Sequence, residues 1–202
     1  MEDLNFLNGI ESLDDYSLKR IYTGLAKVII ERPELAEKSL EKYSQFIQSD
    51  KNNSHSLETA YNYLKAIAYR KPQYTDKVLD IFDKGLKSGK NNSFSHEKGY
   101  EALSEVPVKT VDLLNKSLNL CKDGIKSDNP SRREYAAKCM EWIKYYNPEI
   151  VNQSVDVAEL MAKTKDKLHK KDVKTEEASQ QPKAVKTMDN NLPNKGKSGY
   201  GN

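Results

Sequence analysis

The sequence predicts an all-α protein, a right-handed α-solenoid of about four helical hairpins (eight helices) followed by a disordered C-terminal tail. One motif recurs: Lys51-Asn52-Asn53-Ser54-His55-Ser56 returns as Lys90-Asn91-Asn92-Ser93-Phe94-Ser95, 39 positions later, with Tyr61 matched by Tyr100 and Leu64 by Leu103. A period of that length marks stacked units, each unable to bury its apolar face alone. Pro33, Pro72, Pro107 and Pro148 punctuate the chain at intervals of 39, 35 and 41 residues. Between those breaks, apolar residues return at steps of three, four and seven, which keeps them on one helix face.

Residues 1–11 read as a lead-in whose Leu4, Phe6, Leu7 and Ile10 cover the open end of the stack, and residues 12–170 read as the repeat domain. Ser12, with Asp15 three residues on, is the expected N-cap of the first helix, since an acid in the first turn satisfies free N–H groups and suits the helix dipole. That helix carries Ile21, Leu25 and Val28 and ends near Arg32. Pro33 opens the second, because proline lacks the N–H that a first turn leaves unused and has its φ preset. Ser54 or Ser56 is expected to cap the third, which carries Ala60, Leu64 and Ile67 to about Arg70. The fourth spans Pro72 to Lys87, closed by Gly89 as a glycine C-cap.

The fifth helix, about Ser95 to Glu105, is the shortest and holds Gly99, at a cost of roughly 1 kcal/mol relative to alanine. Val108 to Ile125 gives the sixth. Asn129-Pro130 is a strong start signal for the seventh, Ser131 to Tyr146, which carries Ala136, Met140 and Ile143. The eighth runs from Pro148 to about Lys170. Seven residues after each of the four spaced prolines stand Leu40, Leu79, Leu114 and Val155, and fourteen after stand Ile47, Leu86, Cys121 and Ala162, a second stripe common to all four units. From residue 171 to 202 Lys, Asn, Gly, Ser and Gln replace any ladder, a composition that cannot offset chain entropy and is expected to be disordered.

The ladder Ala60, Leu64, Ile67 followed by Pro72, and Ala136, Met140, Ile143 followed by Pro148, resembles the second helix of a tetratricopeptide repeat. The 35–41 residue period, with proline near the hairpin turn, is nearer to HEAT-like repeats. The resemblance spans about Ser12 to Lys163 and implies an architecture that mostly serves as a protein-binding scaffold; it carries over no functional residue.

Charge is divided unevenly. Residues 1–162 hold 23 Lys and Arg against 25 Asp and Glu, a balance of −2, whereas residues 163–202 hold 10 Lys against 5 acids, a balance of +5. The acidic start lacks the basic and apolar regions of a signal peptide, and no run reaches the ~20 apolar residues of a membrane span, so a cytoplasmic location is expected, with non-classical export as the alternative. Cys121 and Cys139 fall on apolar positions and read as reduced core thiols, with a disulfide as the minority reading.

No catalytic constellation, phosphate loop or metal-ligand spacing is present in the sequence, so no enzyme activity, cofactor or metal is expected. His55, His96 and His169 read as surface histidines. Two features bear on partners. Lys38, Lys42, Lys77, Lys84, Lys87, Lys116 and Lys122 all lie on second helices of hairpins and could align into a stripe for phosphates, or form a mixed-charge solvated face with Glu37, Glu41, Asp80, Asp83, Asp112 and Asp123. Lysine richness also has a compositional explanation in the Lys, Asn, Tyr and Ile usage of an AT-rich genome.

The second feature is the seventh helix, where Tyr135, Trp142 and Tyr146 share a stripe with Cys139. Such a stripe is either core or an aromatic patch for a partner. Counted back from the proline, the first hairpin has Lys27 and Glu31 where this one has Trp142 and Tyr146, so the repeat itself does not demand burial there. A protein or peptide partner held by an adaptor is the leading expectation, nucleic-acid binding comes second, and a bacterial effector-like role acting on a host protein third.

Overall fold

The structure, a computed structural model, describes residues 14–153. The chain divides into two units, Met1–Thr164 and Lys165–Asn202, and every described residue lies in the first. The lead-in, the end of the eighth helix with Val155 and Ala162, His169 and the predicted tail lie outside the described residues. Among the described residues there are eight α-helices and no strand: α1 (Asp15–Glu31), α2 (Pro33–Phe46), α3 (Ser54–Arg70), α4 (Thr75–Lys87), α5 (Ser93–Ser104), α6 (Val111–Ile125), α7 (Pro130–Tyr146) and α8 (Pro148–Gln153).

Each odd-numbered helix before α8 begins at a side-chain cap. Asp14 accepts from the Ser17 N–H at 2.9 Å, Asn53 from His55 and Ser56, Asn92 from Ser95, and Asn129 from Arg132. The intervals between these caps are 39, 39 and 37 residues. The first helix therefore starts from Asp14 rather than Ser12, and α3 from Asn53 rather than Ser54 or Ser56. Ser56 and Ser95 instead complete capping boxes, each hydroxyl accepting from the backbone N–H of its cap residue at 2.9 and 2.8 Å.

Three further boundaries depart from the sequence reading. Pro72 opens a short 3-10 turn, Pro72–Tyr74, before α4 begins at Thr75. At the end of α4 the C-cap is Ser88, in extended backbone with its N–H on the Gly85 carbonyl, and Gly89 is not in the left-handed conformation of a glycine cap. The sixth helix starts at Val111 instead of Val108, because Thr110 supplies the cap to the Leu113 N–H while Val106 and Val108 are buried ahead of it.

The helices pack in two layers. α1 packs on α3, α3 on α5 and α5 on α7; in the other layer α2 packs on α4, α4 on α6 and α6 on α8. The apolar stripes meet between the layers: Leu25, Leu64, Leu103 and Met140 from the odd helices, and Leu40, Leu79, Leu114, Ile47, Leu86 and Cys121 from the even ones, are all buried. Both cysteines are free, and burial, with the neighbouring Cys121 thiol, pushes the Cys139 thiol well above its ordinary range.

A tyrosine stands eight residues after each of the first three caps: Tyr22, Tyr61 and Tyr100, all fully buried. The Tyr22 hydroxyl donates to Asn52 Oδ1 at 2.8 Å, and Tyr61 to Asn91 Oδ1 at 3.1 Å. Each asparagine turns its amide on the preceding helix end, Asn52 to the Phe46 and Ser49 carbonyls and Asn91 to those of Gly85 and Ser88. One helix thus pins the loop that launches the next odd helix. In the third case arginines substitute: Arg132 Nε donates to the Tyr100 hydroxyl at 3.4 Å and Arg133 to the Ser127 and Asp128 carbonyls at 2.9 Å. Close approach needs glycine here, since a Cβ on Gly124 would lie 2.1 Å from the Tyr100 hydroxyl and one on Gly99 2.9 Å from the Tyr61 ring. Gly99 therefore costs helix propensity and permits packing of α5 on α3.

Candidate functional site

The lysines of the predicted stripe stand on the even helices with acids beside them. Lys77 pairs with Glu37 one helix back, Lys116 reaches Asp76 and Asp80 at 2.7 Å, and Lys87 reaches Asp83 at 2.7 Å and Asp123 at 3.5 Å. Lys84 donates to the Ser44 hydroxyl at 2.7 Å. Three of these contacts, from Lys77, Lys84 and Lys116, bridge residues 40 apart in sequence, from one even helix to the next. Lys42 and Lys122 donate within their own helices, to Gln45 and Asn119, and Lys38 is exposed on α2. Between α2 and α4 this face has a shallow groove floored by Leu40 and Ile81, with Glu37, Lys77, Ser44 and Lys84 on its rim.

The outer face of the odd helices differs in kind. Among the described residues, all of the exposed large aromatics are there: Tyr16 on α1, Tyr69 on α3, Phe94 on α5, and Tyr145 and Tyr146 on α7. Of the three aromatic candidates from the sequence, Tyr135 is half-buried and packed against the core, Trp142 is half-buried, and Tyr146 is 54% exposed. Cys139, read on the same stripe, is fully buried. The stripe grades from interior to surface along α7. Tyr135, Lys138, Trp142 and Tyr145 follow steps of three and four and so share a face; Tyr145, absent from the sequence reading, stacks edge-on with Tyr146 at 5.3 Å.

Contacts cross this odd face from helix to helix. His55 meets Phe94 edge-on at 5.6 Å, the Tyr135 hydroxyl donates to Glu97 at 3.2 Å, and Lys65 pairs with Glu105 at 2.9 Å. The Lys138 ammonium lies over the Tyr135 ring at 5.0 Å, a cation–π geometry. Five residues after their caps stand Glu58, Glu97 and Glu134, one carboxylate on each of α3, α5 and α7. The sequence does not mark Glu97 and Tyr145, because the face they share depends on how α3, α5 and α7 line up; the 39-residue match of His55 to Phe94 is the one signal for it.

His55 is on the surface as expected, but His96 is 3% exposed, a correction to its reading as a surface residue. It sits one turn into α5 against α7, its Nδ1 3.3 Å from Ser131 Oγ. Burial, and then the Arg132 guanidinium, push its pKa down to about 4, which holds the ring neutral. Among the described residues, no group of three His, Cys, Asp or Glu side chains could hold a metal ion, and no helix is long and apolar enough to cross a membrane. No family model, curated protein or solved structure matches the chain.

Proposed function

We propose that the protein is a non-enzymatic adaptor, a right-handed α-solenoid of HEAT-like more than tetratricopeptide-like hairpins that binds a protein or peptide through the outer face of its odd helices. The observation that carries this reading is the segregation of aromatics: the exposed tyrosines and Phe94 gather on α1, α3, α5 and α7. Tyrosine and tryptophan supply a large share of binding energy at interfaces, where truncating one often costs ~2 kcal/mol or more. The regular capping intervals and helix-to-helix contacts support stacked repeats, which offer an extended surface rather than an enclosed reaction centre.

Nucleic-acid binding through the lysine stripe has less support, since Lys77, Lys87 and Lys116 already face carboxylates. The test is capture of partners by the immobilised full chain, comparing wild type with Trp142→Ala and Lys116→Ala. The expected result is loss of a specific partner with Trp142→Ala alone, at nearly unchanged melting temperature. Capture indifferent to Trp142→Ala sinks the assignment of the face, and binding that collapses by orders of magnitude between low and moderate salt reassigns the ligand to a polyanion.

A further inference from the structure

The two ends of the odd layer are not alike. Counted from its cap, an odd helix turns its third and seventh residues towards the odd helix before it and its fourth and eighth towards the one after. Arg132, third in α7, reaches Tyr100, eighth in α5; His96, fourth in α5, lies against the first turn of α7; and a Cβ on Gly99, seventh in α5, would meet the ring of Tyr61, eighth in α3. On α7, the last odd helix among the described residues, the fourth, eighth and fifteenth positions hold Arg133, Ala137 and Lys144, where α3 buries Leu57, Tyr61 and Ala68. That end carries its own polar surface. On α1 the third, seventh, tenth and fourteenth positions, which share a face, hold Ser17, Ile21, Gly24 and Val28. Among the described residues no helix precedes α1 to take that apolar face, yet Ile21 is only 5% exposed, and Gly24 and Val28 are half-buried.

A row of stacked helices needs polar surface at each end, and the chain ahead of Asp14 has the composition to supply it. Leu4, Leu7 and Ile10 recur at steps of three, with Phe6 four before Ile10, so a helix over this stretch sets its apolar residues on one side and Glu2, Asn5 and Asn8 on the other. Three residues separate Ile10 from Asp14, a length that joins two antiparallel helices. Both helices rise about 1.5 Å per residue. Equal counts back from that turn therefore bring Ile10 level with Ser17, Leu7 with Ile21 and Leu4 with Gly24. Charge agrees with the same course: residues 1–13 carry Glu2, Asp3 and Glu11 and no lysine or arginine, whereas Arg20 and Lys27 are exposed on α1, with Lys27 level with Glu2.

We infer that residues 1–13 dock antiparallel along this face of α1, with Ile10, Leu7 and Leu4 against Ser17, Ile21 and Gly24, so that the apolar end of the odd layer is closed by its own chain and not by a second copy. The full chain is compared with Leu7→Glu and Asn5→Glu by thermal unfolding, and a Leu7→Cys/Ile21→Cys variant is oxidised with hydrogen peroxide, two thiols and one peroxide giving a disulfide and two waters, before its disulfides are mapped and its mass in solution is measured. Leu7→Glu, which sets a charge in the apolar contact, should lower the midpoint by about 5 °C or more, and Asn5→Glu, on the polar side, should move it by about a degree at most. The disulfide between positions 7 and 21 should form within one chain, in a monomer. An unchanged midpoint in Leu7→Glu, an equal fall in Asn5→Glu, or no 7–21 disulfide overturns the inference, and a 7–21 disulfide found only between chains overturns it by giving the face to a second copy. If Leu7→Glu does not fold, the cross-link alone decides, with the same outcomes.

Discussion

The two outer faces of this protein share their charged residue types, and among the described residues they differ in the exposed large aromatics, which stand on the odd helices. On the even helices, lysines and carboxylates 40 residues apart satisfy each other, Glu37 with Lys77 and Asp76 with Lys116. On the odd helices Lys98 and Lys138 likewise pair with Glu101 and Glu134, and what sets that face apart is the aromatic rings that stand in the solvent beside them. A charge-rich surface is thus not one property. Where pairing crosses from one helix to the next, charges are matched within the chain; where aromatic rings stand among the pairs, the face also exposes apolar surface.

The comparison can be broken from below. Tyr61 of α3 is fully buried and stacked on Phe82 of α4, and Tyr61→Ala should cost about 3–5 kcal/mol, seen as a large drop in the thermal midpoint and loss of both faces together. A midpoint shift of a degree or two would show that the two layers do not share one core. Trp142→Ala separates the faces more finely. It should cost ~2 kcal/mol of partner binding while the even face and the helical signal persist; a stability loss as large as that of Tyr61→Ala would move Trp142 into the core.

Acid should weaken the odd layer selectively through His96. Its folded pKa, about 4, lies below the ordinary histidine value, so the neutral ring favours the folded state. That contribution is complete above about pH 6.5 and is lost as pH falls towards 4, because the unfolded chain takes up the proton first. Allowing for partial solvent screening at the start of α5, the loss is about 2 kcal/mol. Denaturant titrations at pH 7 and pH 4.5 should show it, and His96→Gln should shrink the difference. The smallest effect belongs to the even face: Lys116→Ala should cost about 0–1 kcal/mol, less at high salt, since its partners Asp76 and Asp80 are exposed.

How much of this was legible depends on whether a feature is local. The apolar ladders and the Asn129-Pro130 start depend on spacing along the chain, and they correspond to buried stripes and a capped helix in the structure. The sequence points to serine where Asn53 is the cap, because a capping box pairs two short polar side chains and either order satisfies the pattern. His96 differs from His55 through what α7 lays over it, Ser131 and Arg132, which belong to the next hairpin. The lysine stripe posed the same problem. The seven residues are visible in sequence, but whether they face phosphates or carboxylates is decided by which acid stands 40 residues away.

The tyrosine that pins each following loop has a consequence for how the molecule comes apart. Tyr22 ties α1 to the start of α3, Tyr61 ties α3 to the start of α5, and Tyr100 meets Arg132 in α7, but eight residues after the last cap stands Ala137. Cooperative unfolding in stacked repeats propagates through such neighbour couplings. The hydroxyl links therefore act as couplings between successive exchange units, and the chain of links stops at α7. Amide protons of α3 and α5 should exchange with solvent only in the largest opening, while those of α7 and α8 exchange through a smaller one that leaves the first three odd helices closed.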